Sequence, residues 1–220
     1  MPPIASPRRT ACRRDVRACP VSCSISLSGS LRLRGWKLAL AILAALAVLG
    51  AAAASVAAWL GDRKLERVIA VRVVPVPFTN DAAAVKMGRE LYEQRGCAQC
   101  HGTDGAGRVV HDGNGLLVRA PDITMDARTA ASTYSEGDWV RAIRHGVNQA
   151  GHALLFMPCE EYNQLTDAQL AALVAYVRNL PPAAGEGAVV RLPFHLKALY
   201  GMGLMQDATE KIDHRRPPVP

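Results

Sequence analysis

The sequence predicts an all-α domain of three to four short helices, set behind one N-terminal apolar helix. Three observations predict it. Residues 38–60 form a run of 23 residues without a charge. Segments 82–95, 136–145 and 167–179 place apolar residues at helical spacing. A C-x-x-C-H pattern, Cys97-Ala98-Gln99-Cys100-His101, follows directly on the first of these segments.

Charge sets the organisation of the chain. The formal net charge is +7, from 26 Lys and Arg against 19 Asp and Glu. Eight of the basic residues (Arg8, Arg9, Arg13, Arg14, Arg17, Arg32, Arg34, Lys37) lie in residues 1–37 against the single acid Asp15, which leaves 18 of each sign in 38–220. No basic globular surface remains, so a nucleic-acid partner is excluded. The boundaries that follow are a basic, disordered cytoplasmic tail at 1–37, a transmembrane anchor or uncleaved signal at 38–60, and a linker at 61–81. A domain at 82–182 and a C-terminal tail at 183–220 complete the chain.

At about 1.5 Å per helical residue the apolar run covers the roughly 30 Å of a hydrocarbon core. The arginines before it and the mixed-sign flank after it (Asp62, Arg63, Lys64, Glu66, Arg67) put the N-terminus in the cytoplasm and export the remainder. A cleaved signal peptide is the second reading, because Ser55-Val56-Ala57 fits a small-x-small cleavage site. A buried core helix is the third, and it needs a larger surrounding protein than this chain supplies. Cys12, Cys19 and Cys23 match no metal-ligand template, and a cytoplasmic tail keeps them reduced.

Among the helices, residues 82–95 carry Gly88 and Tyr92 four apart, on one face. Residues 136–145 have Ser135 as N-cap, with Trp139, Val140 and Ile143 facing inward. Arg141, Arg144 and His145 fall on the opposite face, which reads as solvated. In the closing helix Thr166 and Gln169 fit a capping box, Leu170, Leu173, Val174 and Val177 form the apolar stripe, and Pro181 stops it.

The C-x-x-C-H spacing has a mechanical reason. Two thiols three residues apart can each add to a vinyl group on one porphyrin edge, and the next residue brings an imidazole to the iron. A zinc site would need two further clustered ligands, and the only other cysteine after the apolar run is the isolated Cys159. A redox dithiol would want a βαβ surround, and the flanks read as helical. The expected cofactor is one covalently bound haem c, held by Cys97 and Cys100 with His101 as proximal iron ligand. Haem also supplies the apolar filler that a chain with 5% aromatic residues lacks.

Here the sequence resembles the class I monohaem cytochromes c, over about residues 82–182. Gly88 and Tyr92 on the first helix, Leu173 and Tyr176 on the last, and the haem motif between them carry the resemblance. The phrases GREL-Y-x-x-RGCAQCHG-x-DG-x-G, APDIT, RAIRHGV and MP-x-x-x-Y are similar to a single haem domain of the membrane-anchored cytochrome subunits of periplasmic alcohol, aldehyde and sugar dehydrogenases. Those subunits usually carry three haem domains, whereas this chain has one C-x-x-C-H. The resemblance implies Met157, in Leu155-Phe156-Met157-Pro158, as distal iron ligand; His145, His152 and Met125 are the competitors. It further implies that the carbonyl of Pro121 accepts a hydrogen bond from the free nitrogen of His101, an ordinary turn proline being the other reading. Arg141, Arg144 and His145 become candidates for the haem propionates, and Trp139 for the haem edge or the core. Cys159 reads as a free or intermolecular thiol.

The expected function is single-electron transfer without bond-breaking catalysis, between a dehydrogenase or quinol-oxidising complex and a terminal oxidase or another cytochrome. The expected location is the bacterial inner membrane, with the haem domain in the periplasm, or the soluble periplasm if the apolar run is cleaved. A haem enzyme with an exchangeable distal site, acting on peroxide or a small sulfur or nitrogen species, is the alternative. A haem-based sensor is the third class.

Overall fold

The computed structural model describes residues 28–216. The Arg8 to Arg17 cluster and Cys12, Cys19 and Cys23 lie outside the described residues. Helix α1, Ser28–Leu65, is built from Ala and Leu, which favour helix, and it extends beyond the apolar run at both ends. The described chain divides into two units: α1 up to Ala47, whose side chains are exposed from Gly35 on, and everything from Val48 onward.

In the second unit residues 66–81 run without helix to Asp81, whose carboxylate accepts from the Ala84 amide and starts α2, Ala82–Gln94. The C-x-x-C-H residues form a separate short helix, α3, Cys97–His101. Two strands follow, β1 (Arg108–Gly113) and β2 (Leu116–Ala120), then α4 (Glu136–His145), α5 (Cys159–Tyr162) and α6 (Asp167–Arg178). Both long-helix starts after the hairpin are capping boxes: Ser135 with Asp138 on α4, and Thr166 with Gln169 on α6. β3 (Val189–Arg191), α7 (Phe194–Gly201) and α8 (Ala208–Lys211) complete the chain.

The domain is mostly helical, and the expectation of an all-α fold is corrected by a three-stranded antiparallel sheet in the order β1-β2-β3. The cause is local. Asn114 and Gly115 both adopt positive φ, 50° and 78°, between the apolar pairs Val109-Val110 and Leu116-Leu117. Asn-Gly supplies the left-handed pair that a two-residue hairpin turn needs. β3 then adds to β2, so part of the C-terminal segment packs onto the domain itself.

The core sits where α2 crosses α6. Leu91 and Tyr92 of α2 meet Leu170, Leu173, Val174 and Val177 of α6, with Trp139, Val140 and Ile143 of α4 closing one side. Gly88 makes the crossing close: a Cβ there would collide with the Ala172 carbonyl and with Tyr176. The Tyr92 and Tyr176 rings pack tilted beside it, with centroids 5.3 Å apart.

The C-terminal segment uses a different kind of packing. Asp207 is fully buried and accepts from Arg67 Nη2 at 2.8 Å, from Tyr200 Oη at 2.5 Å and from Thr209 Oγ1. Glu210 adds ion pairs to Lys64 at 2.8 Å and Arg67 at 3.0 Å. Residues just after α1 are thereby tied by charge to residues near the C-terminus.

Candidate functional site

The site is built on α3. Gly96 (φ 78°) turns the chain sharply out of α2, and Gly102 (φ 79°) ends α3 after one turn, so Cys97, Cys100 and His101 share a single turn of helix. Neither cysteine is paired in a disulfide. Burial pushes the Cys97 thiol up to about 11, against a smaller opposing effect of a hydrogen bond with Tyr162.

His101 Nδ1 lies 3.0 Å from the carbonyl oxygen of Pro121. A carbonyl can only accept, so Nδ1 carries the proton and Nε2 keeps the lone pair. Burial lowers the His101 pKa, with the Pro121 contact acting in the other direction, and the imidazole is held neutral. The Pro121 carbonyl is in turn fixed by a turn that sequence reasoning missed. Asp122, 4% exposed, accepts from the Thr124 amide at 2.8 Å, the Thr124 hydroxyl at 2.7 Å and the Gly185 amide at 3.0 Å. The legible signal is Asp-x-Thr, whose side chains favour such turns. Its third partner, 63 residues away, has none.

Met157 packs against two apolar clusters, the main core and a small one formed by Cys159, Ala208 and Ile212. Tyr162 Oη donates to the Arg95 carbonyl at 2.9 Å, which fastens the α5 turn after Met157 to the junction of α2 and α3. The loop of Met157 and the turn of Cys97, Cys100 and His101 are therefore held by one set of contacts. Met125 packs against the same core. His145 and His152 are engaged elsewhere: His145 Nδ1 lies 2.9 Å from His214 Nδ1, and His152 Nδ1 lies 3.3 Å from the Arg67 carbonyl.

Two readings of α4 and its surroundings change. Periodicity places Arg144 and His145 on a solvated face, yet they are 2% and 8% exposed. Arg144 donates to the Leu165 carbonyl at 2.7 Å and pairs with Asp167 at 2.7 Å, so it anchors the approach to α6. Trp139 is a core residue, set edge-on to Tyr134 with ring centroids 5.3 Å apart. Cys159 is fully buried and its thiol donates to the Ala142 carbonyl at 3.4 Å, which removes the reading of an intermolecular thiol.

The donor set fits covalent haem c. Two thiols outside any disulfide stand one turn apart, a neutral imidazole keeps the lone pair on Nε2, and a thioether sits in apolar surroundings. Residues 85–181 match the family Cytochrome c, and the chain carries a cytochrome c domain there. A cytochrome c domain implies covalently bound haem c and a role in electron transfer.

The relatives narrow the setting. Over 141 residues the chain is 26% identical to the fructose dehydrogenase cytochrome subunit of Gluconobacter japonicus, covering 61% of this chain and 29% of that protein. It is 30% identical over 134 residues to the gluconate 2-dehydrogenase cytochrome c subunit of Pantoea cypripedii, covering 57% of this chain and 30% of that one. It is 30% identical over 116 residues to the cbb3-type cytochrome c oxidase subunit CcoP of Helicobacter pylori, covering 52% and 34%. The chain thus spans about a third of the length of these relatives.

Proposed function

We propose that this protein is a membrane-tethered electron carrier of the bacterial periplasm, with one haem c bonded through Cys97 and Cys100 and ligated by His101 and Met157. The observation that carries the reading is the Cys97-to-His101 turn with the Pro121 carbonyl on His101 Nδ1. That hydrogen bond directs Nε2 to the metal and raises the ring's basicity as a ligand. The packing of Met157 against the same apolar core as Cys97 supports it as the distal ligand. When bound, the haem supplies a one-electron couple whose potential a Met ligand raises. The chain's own residues would hold it: Cys97 and Cys100 of α3 through their thiols, and His101 through Nε2, with burial keeping that imidazole neutral.

Electrons enter from a dehydrogenase or quinol-oxidising complex and leave to a terminal oxidase or another cytochrome. The cytochrome-bearing dehydrogenase and oxidase relatives support those partners. We read residues 1–37 as the cytoplasmic tail, 38–60 as a retained anchor, 61–81 as linker, 82–182 as the haem domain and 183–220 as the tail. Retention of the anchor is supported by its packing. Ala57 and Gly61 lie against Gly201 and Lys197 of α7, and cleavage after Ala57 would cut through that contact.

Absorption spectra of the full-length holoprotein test the ligand set. The wild type is expected to be low-spin in both oxidation states and to resist carbon monoxide when reduced. Met157→Ala is expected to become high-spin and to bind it. A Met157→Ala spectrum identical to wild type overturns Met157, and a wild type that binds carbon monoxide overturns the closed iron and favours an enzyme.

A further inference from the structure

The strongest unexplained feature lies at the end of α7. Leu204 is 72% exposed and Met202 55%, on a turn that nothing in the described chain covers. From Ala198 to Gln206 the sequence carries no charge. Every amide of the turn is nonetheless satisfied within it: Met202 donates to the Ala198 carbonyl at 2.9 Å, and Gly203 to Tyr200 at 3.1 Å. Leu204 and Met205 both donate to the Leu199 carbonyl, at 3.0 and 3.3 Å. Gly203 takes φ 74° to close it. The amides of the turn are paired and its carbonyls from Gly201 onward stay open within the described chain, which suits the headgroup–acyl boundary of a bilayer.

Its level relative to α1 is set by two close approaches. A side chain on Gly201 would strike the Ala57 carbonyl, and one on Gly61 would strike the Lys197 carbonyl. Advancing along α1 from 57 to 61 means going back along α7 from 201 to 197, so the two helices cross antiparallel. The turn 202–205 therefore lies at the level of Ala57, inside the apolar run 38–60. The charges begin at the base of the turn: Lys64 donates to the Tyr200 carbonyl at 3.3 Å and pairs with Glu210 at 2.8 Å, Lys197 pairs with Asp62 at 2.7 Å, and Arg67 with Asp207 at 2.8 Å. Between the two zones stands Trp59, 54% exposed, with the Arg63 guanidinium 5.1 Å from its ring centroid. Aromatic and basic residues so placed mark a membrane–water interface.

We infer that the turn 202–205 is a second membrane contact, an apolar foot that enters the outer half of the bilayer beside α1. The occupant of the patch is lipid hydrocarbon, because the patch lies level with the apolar run of α1, where Val56 and Leu60 are exposed as well. One helix alone leaves a domain free to swivel. A helix and a foot locked by the polar network hold the haem domain at one orientation to the membrane. The inference rests on residues 38–60 being a retained anchor.

Site-directed spin labels on the full-length holoprotein test it, in vesicles of phosphatidylcholine and phosphatidylglycerol. Cys12, Cys19 and Cys23 are replaced by Ser, and Cys159 is fully buried. Labels are placed singly through Leu204→Cys, Met202→Cys, Val110→Cys on the exposed face of β1, and Leu43→Cys in α1. Labels at 204 or 202 are expected to collide severalfold more with oxygen than with a water-soluble nickel chelate, as the label at 43 does, while 110 shows the reverse. If 43 reports lipid and both 204 and 202 report water, the foot is overturned and the anchor stands. If 43 also reports water, both fall. Low collision with either reagent at 204 and 202 means a protein partner or a second copy covers the turn, and also overturns the proposal.

Discussion

The crossing of α2 and α6 and the junction of α1 with the C-terminal segment are both close helix contacts permitted by glycine, yet different forces hold them. At the first, Gly88 lets Leu91 and Tyr92 reach the apolar stripe of α6, and the cohesion comes from buried apolar surface. At the second, Gly61 and Gly201 bring Ala57 and Ala58 of α1 against Ala198 of α7 with little area to bury, and the fully buried Asp207 gathers Arg67, Tyr200 and Thr209 around itself. Apolar packing tolerates changes of pH and salt, while a network of charges depends on every partner being present. The core that holds haem is expected to be the robust part, and the junction that orients it the conditional one.

The largest break in this contrast is expected from Gly88→Ala. The added methyl meets the Ala172 carbonyl, and forcing the helices apart costs about 3 kcal/mol. Thermal unfolding of the holoprotein followed at the haem absorption band should show a correspondingly lower midpoint. An unchanged midpoint would mean the crossing is looser than described.

A smaller and local effect is expected from Asp207→Asn, which removes the charge while keeping the shape. Loss of charged hydrogen bonds of this kind costs about 2 kcal/mol. Amide exchange should accelerate in residues 200–212 and stay unchanged in α2 and α6. Acceleration throughout the domain would show that the two regions unfold as one unit.

A further local effect is expected from pH. Burial, then His214, Arg144 and Arg141, lower the pKa of His145 to about 4. Since the unfolded chain takes up this proton near 6.5, the contribution of the His145–His214 contact is present above that value and is lost as pH falls from about 6.5 to 4. Exchange at residues 207–214 should rise over that interval in the wild type. His214→Gln should flatten the dependence, and a wild-type profile already flat between pH 7 and 4 would remove the role of the pair.

Much of the fold is legible in the sequence because its causes are local. Thr166 and Gln169 close a capping box within four residues, and the stripe from Leu170 to Val177 repeats on one helix face. The hairpin is equally local, since Asn114-Gly115 between short apolar pairs is a turn signal, and the helical reading of the flanks obscures it. Arg144 shows the opposite failure. Its position on α4 is polar by periodicity, but the Leu165 carbonyl 21 residues away takes its guanidinium into the interior. A backbone carbonyl carries no mark in the sequence of what it will accept.

The sequence by itself determined the chemistry-bearing turn: Cys97, Cys100 and His101 fall together because their spacing is one turn of helix, whatever surrounds them. It also determined the 23-residue apolar run, whose length alone matches a bilayer. Only the tertiary structure decided that Pro121 faces His101, that Asp207 draws in Arg67 from 140 residues away, and that the turn at Met202 to Met205 comes level with Ala57. The physical reason is range. Spacing and caps act within a few residues, while the partners of buried polar groups and the depth of an apolar patch are set by which segments meet after the chain has folded.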